Sequence, residues 1–120
     1  MIRVEIELSE DGVLKRIKAN GHAGWNVRGR DIVCAAASSL IRTAGGLLFN
    51  EKKLCCRGNV QENPGIITLE IREKPESLRL WIKGVSDFLL KGLLDLEKEY
   101  SKNIEIRVMK MTDREESNGS

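Results

Sequence analysis

Cysteine, histidine and aromatic residues are scarce in this chain of 120 residues. Three cysteines and one histidine, with no C-x-x-C pair, do not support a tetrahedral zinc site, and we expect no metal and no other cofactor. The odd number of cysteines, two of them adjacent, also argues against a disulfide framework. A reducing compartment, the cytoplasm, is therefore the expected location.

An excess of charge of one sign is also missing, since 20 Lys and Arg residues face 18 Asp and Glu residues, a net charge of +2. Proteins that bind nucleic acid usually carry a one-sided basic field, so we expect no direct nucleic-acid binding. Uninterrupted apolar runs are far shorter than the roughly 20 residues that a membrane helix needs. The N-terminus alternates charged and apolar residues, which does not resemble a signal peptide. We therefore expect no membrane partner.

The length of the chain and its composition, with 41% apolar and 32% charged residues, indicate one globular domain. Alternating apolar residues predict strands at 2–8, 13–19, 54–60, 65–72 and 104–109. Helical periodicity predicts two helices, at 32–49 and from Pro75 to Tyr100. The order β-β-α-β-β-α-β predicts a single α+β domain over 1–111, with a mixed sheet and two helices. The polar residues 112–120 are predicted to be a disordered tail.

Two features of the predicted helices require an explanation. Gly45 and Gly46 lie inside the first helix, where each glycine costs about 1 kcal/mol relative to alanine. We expect them to mark close packing against another element. Trp81 and Phe88 widen the apolar stripe of the second helix, which fits either a deeper core or a subunit interface.

The most informative stretch runs from Gly21 to Ser38 and reads GHAGWNVRGRDIVCAAAS. It contains His22 and, 12 residues later, Cys34, joined by a glycine-containing loop. If Asp31 is the N-cap, Cys34 lies at the third helical position, where unpaired N–H groups and the helix dipole favour a thiolate. His22 would then take the thiol proton and later protonate the leaving amine.

Simpler interpretations of these residues stay open. A lone cysteine in an alanine-rich helix is usually a small buried apolar residue, and a lone histidine usually makes a structural hydrogen bond. Asp31 either caps the helix or orients the imidazole. Ser38 either packs on the helix face or reaches the site. Cys55 and Cys56 are interpreted as structural.

The stretch closely resembles the signature of the ribosomal-processing cysteine protease family, often called Prp. The resemblance covers G-H-A-G, a short loop with a glycine and D-I-V-C-A-A-x-S, that is, Gly21, His22, Ala23, Gly24, Gly29, Asp31, Ile32, Val33, Cys34, Ala35, Ala36 and Ser38. Chain length and element order also resemble that family over residues 1–110.

The resemblance implies a homodimeric cysteine endopeptidase that removes the N-terminal extension of a large-subunit ribosomal protein during ribosome assembly. Carried over by position, the catalytic dyad is Cys34 as nucleophile and His22 as general base and acid. The segment 23–30 would reorder on substrate binding, and we expect it to be the most mobile internal segment. Further substrate contacts would be made by Gly21, Gly24 and Ser38. The alternative functions are a non-catalytic, ribosome-associated accessory dimer that retains the motif and, less favoured, a thiol redox sensor.

Overall fold

The computed structural model describes residues 1–21, 28–61 and 65–111, with the backbone alone for 28–31. The described elements are β1 (Ile2–Leu8), β2 (Leu14–Asn20), α1 (Arg28–Asn50), β3 (Cys55–Gln61), β4 (Ile66–Glu73), a short 3-10 helix (Glu76–Leu78), α2 (Arg79–Glu99) and β5 (Ile104–Lys110). The predicted α+β class and the predicted element order are confirmed. The prediction of a disordered tail at 112–120 lies outside the described residues.

The strands form one mixed sheet in the order β3-β4-β2-β1-β5. Neighbours pair antiparallel except β5, which runs parallel to β1 with Ile104 opposite Ile2. The chain therefore crosses from β4 to the far edge of the sheet through α2. As a result, β3 and β5 are the two edge strands among the strands that the structure describes.

One face of the sheet carries the core. In β1, Ile2, Val4 and Ile6 are at most 5% exposed, and they belong to one buried cluster with residues of both helices. The alternate residues Arg3 and Glu5 are exposed on the opposite face. Both helices therefore cover the same face, and no element of the described part of the chain covers Arg3 and Glu5 on the other.

α2 is fastened to the start of β2 by a buried hydroxyl group. Ser86 Oγ donates to the carbonyl oxygen of Ile82 at 2.6 Å and accepts from the N–H of Leu14 at 2.9 Å. In the preceding turn, the Ser9 hydroxyl donates to the Asp11 carboxylate, and this hydrogen bond is the main reason that the pKa of Asp11 is lowered. These contacts fix the strand that leads to the His–Cys stretch.

The first helix begins earlier than predicted. α1 starts at Arg28, so Asp31 is its fourth residue and not its N-cap. The capping prediction is wrong, because an N-cap residue stands outside the helix with non-helical backbone angles. Arg28 and Arg30 have high helix propensity, which is consistent with a helix that extends through Gly29.

α1 continues unbroken through Gly45 and Gly46. A Cβ atom at Gly45 would meet Leu69 Cδ2 at 3.8 Å, an ordinary contact, and one at Gly46 would meet no atom of the described residues within 4 Å. The expected close packing is therefore wrong for Gly46. It does not explain Gly45 either, because an alanine side chain would fit there with an ordinary contact. Because neither glycine has a side chain, the two residues leave space beside the helix.

Within α1, the segment Ile32–Asn50 is long and apolar enough to cross a membrane, by length and composition alone. Its apolar runs are nevertheless short, because Arg42 and several small polar residues divide the segment. The core helix of a soluble domain has the same composition, and Val33, Ala37 and Leu48 are buried in the core here.

Candidate active site

The end of β2 sets the direction in which the chain enters the His–Cys stretch. Gly21 has φ 113°, a conformation that residues with a Cβ atom rarely adopt. Its N–H donates to the carbonyl oxygen of Gly65 at 3.2 Å. A Cβ atom at this position would overlap the carbonyl oxygen of Met1. Gly21 therefore has a structural role, and its contact with substrate stays a prediction.

Residues 22–27 lie outside the described part of the chain. The roles predicted for His22 and Gly24 therefore stay predictions, as does the mobility of this segment. Residues 28–30, which were predicted to belong to the same loop, are the first residues of α1. The side chain of Asp31 is likewise outside the description, and its role in orienting an imidazole stays a prediction.

Cys34 is the seventh residue of α1, nearly two turns from the start of the helix. Its thiol is half-buried and lies against the hydrophobic core. The N–H groups without a helical partner lie in the first turn of a helix, and the effect of the helix dipole also falls off within that turn. The predicted position at the helix start is therefore wrong, and activation of this thiol depends more on a neighbouring base.

Small side chains follow Cys34 along one flank of α1. Ser38 and Gly45 stand four and 11 residues after Cys34, spacings that place all three on the same side of a helix. Gly45 faces Leu69 of β4, so this flank is turned toward the β3–β4 edge of the sheet. Ser38 is half-buried there, and its contact with substrate stays a prediction.

The other two cysteines stand together at the start of β3. Cys55 is exposed, whereas Cys56 is half-buried, with its Sγ 3.9 Å from the carbonyl oxygen of Leu48. Burial raises the pKa of the Cys56 thiol, which disfavours the reactive thiolate. This environment agrees with a structural role for Cys56. Among the residues that the structure describes, no three His, Cys, Asp or Glu side chains are grouped to hold a metal ion.

A comparison with protein families settles the class of this protein. The family model described as cysteine protease Prp matches residues 1–105, which include the whole His–Cys stretch and all but the last few residues of the described fold. The chain belongs to the cysteine protease Prp family. It is an enzyme, a cysteine protease.

Solved structures show the same fold in proteins of low sequence identity. SMU.848 from Streptococcus mutans has a TM-score of 0.80 and 21% identity, over 92% of this chain and 96% of that chain. The ribosomal processing protease Prp from Staphylococcus aureus, in complex with a substrate peptide, has a TM-score of 0.75 and 22% identity, over 90% and 99%. Its complex with a covalently linked product peptide gives 0.72 and 23%, with the same coverage. No curated protein matches the chain.

Proposed function

We propose that the protein is a cytoplasmic cysteine endopeptidase that removes the N-terminal extension of a large-subunit ribosomal protein during ribosome assembly. The observation that carries the proposal is the family match over residues 1–105, which spans the motif from His22 to Cys34. The fold shared with a ribosomal processing protease in complex with a substrate peptide supports it.

In the proposed reaction, His22 takes the proton of the Cys34 thiol and the thiolate attacks the carbonyl carbon of the scissile peptide bond. The C–N bond then breaks, His22 gives its proton to the leaving amine, and a thioester remains on Cys34. Water hydrolyses the thioester and restores the thiol. The half-buried thiol and the exposed Ala35 beside it are consistent with access for a polypeptide backbone.

The substrate assignment is tested with the unprocessed ribosomal protein from the same organism. Intact-mass spectrometry should show one N-terminal truncation with the wild-type enzyme and none with Cys34→Ala. The matched control is Cys55→Ala, which removes an exposed thiol and should cut like the wild type. If the wild type leaves the extension in place but cleaves other peptides, the ribosomal assignment is wrong. If it cleaves nothing but still binds ribosomes, the accessory-dimer alternative is favoured.

We further propose a homodimer formed through a surface between α1 and α2. This surface contains a groove of about 350 Å³ lined by Thr43, Ala44, Leu47, Leu80, Trp81, Gly84, Val85 and Phe88. Leu47 is 51% exposed, Trp81 is 39% exposed and Phe88 is 68% exposed. Trp81 and Phe88 are therefore not part of a deeper core. Contiguous exposed apolar residues of this kind often mark protein interfaces, and a two-fold axis would cover the same patch on both copies.

We expect a mass near twice the 13.5 kDa of one chain for the wild type, measured by light scattering after gel filtration. Phe88→Glu should give the mass of one chain, because it places a charge in the apolar surface. The matched control is Lys98→Glu, an exposed position of α2 outside the groove, which should remain dimeric. A wild-type protein with the mass of one chain would contradict the dimer.

A further inference from the structure

A second groove lies between the C-terminal half of α1 and strands β3 and β4. Its volume is about 380 Å³, within the range of roughly 300–1,000 Å³ that is common for ligand pockets. Gly45, Gly46 and Gly58 contribute no side chain to its lining. Phe49 and Val60 stand beside them and are 50% and 47% exposed. The groove is therefore an open, mainly apolar surface.

The glycines at positions 58 and 46 of this groove have different explanations. A Cβ atom at Gly58 would come within 2.7 Å of Phe49 Cζ, so the bare strand position allows the Phe49 ring to lie there. A Cβ atom at Gly46 would have no neighbour among the residues that the structure describes, although a glycine inside a helix costs about 1 kcal/mol relative to alanine. Packing within the described residues does not account for Gly46, whereas close approach of a ligand would.

The groove continues the flank of α1 that carries Cys34. Its α1 lining runs from Ile41 to Phe49, about 10 to 22 Å from Cys34 at the rise of an α-helix. An extended polypeptide advances about 3.3 Å per residue, so the groove would meet substrate residues about three to seven positions from the bond attacked by Cys34.

The edge strand β3 offers main-chain hydrogen bonds beside this groove. As a terminal strand, it directs half of its backbone groups away from β4. On the opposite edge, the N–H of Ile106 in β5 already donates to the Glu97 carboxylate at 2.6 Å. An extended peptide added to β3 would place alternate side chains on the groove side.

We propose that this groove is a specificity subsite that binds an apolar side chain of the substrate, about three to seven residues from the scissile bond, on a strand added to β3. The inference rests on the proposed role of Cys34 as the nucleophile. Gly46 leaves the space for that side chain, and Phe49 and Val60 form the walls that contact it.

The test is a cleavage profile of a mixed peptide library, read by mass spectrometry, for the wild type and Gly46→Phe. We expect the wild type to prefer Leu or Phe over Ala by about tenfold at one position in this window, on one side of the cleaved bond. Gly46→Phe should lose that preference, because its ring occupies the space. Lys98→Phe, which adds an exposed ring to α2 away from the groove, should retain it.

A second variant changes a residue of the sheet that lines the groove. Val60→Asp should change the preference at the same position from apolar to basic side chains, and thermal melting checks that both variants are folded. A wild type that cleaves peptides with no apolar preference in this window overturns the subsite but not the proposed protease. The same holds if folded Gly46→Phe and Val60→Asp both keep the wild-type profile. If the wild type cleaves no peptide at all, the nucleophile assignment fails and the subsite fails with it.

Discussion

Cleavage by Cys34→Ala should be slower than that by the wild type by a factor of about 10⁴ or more, because the variant has no nucleophile to form the thioester. His22→Ala should lose a factor of about 10² to 10⁴, the usual contribution of a positioned general base. The base is expected to matter because Cys34 lies nearly two turns inside α1, beyond the free N–H groups of the helix start. kcat/KM on the ribosomal precursor peptide measures both losses.

The double variant distinguishes a catalytic pair from two independent residues. If Cys34 and His22 act as one unit, the double variant should be no slower than Cys34→Ala alone. Cys55→Ala should keep the wild-type kcat/KM, which shows that loss of an exposed thiol is not sufficient. A folded His22→Ala enzyme that retains more than about a tenth of the wild-type kcat/KM would mean that the imidazole is not the general base.

Gly21→Ala should lower the free energy of unfolding by about 2–4 kcal/mol. Two causes add together: alanine is strained at φ 113°, and its Cβ would overlap the backbone of Met1. The chain would have to shift at the end of β2, one residue before His22, so cleavage should fall as well. Urea denaturation and kcat/KM measure the two effects.

The matched control for this change is Gly46→Ala, which should raise the free energy of unfolding by about 1 kcal/mol. It is the same substitution, but in a helix and with no atom of the described residues within 4 Å of the added Cβ. The two variants should therefore shift stability in opposite directions. Equal shifts would show that the backbone conformation of Gly21 does not matter.

Local sequence patterns predict the strands and helices of this fold, because each of these elements forms among residues that are close together in the chain. The alternation from Ile2 to Leu8 coincides with β1, since successive side chains of a strand point to opposite faces. Apolar residues at helical spacing predicted the buried stripe of α2, including Ile82, Leu89 and Leu93. The His–Cys motif is continuous in sequence and needs no contact map to be recognised. Its family assignment is confirmed by the match over residues 1–105.

The start of α1 is less predictable because the cap preference of Asp31 favours a start after it, whereas the helix propensities of Arg28 and Arg30 favour an earlier start, and each effect is only about 1 kcal/mol or less. Asp31 has the side chain of an N-cap, yet the helix extends to Arg28 and leaves Cys34 deeper than expected. The exposure of Leu47 is likewise not predictable from the local sequence. An apolar residue at helical spacing predicts a buried face, but the width of that face depends on what packs against it.

The sequence alone determined the elements of this protein, their order, and the histidine and cysteine of its motif, because each is a property of adjacent residues. Only the tertiary structure decided that β5 joins β1 and that β3 is left as an edge. It also decided that Gly46 borders open space, because that depends on where β3 and β4 lie relative to α1. These features depend on how segments that are far apart in the chain lie relative to one another. A local sequence pattern does not contain that information.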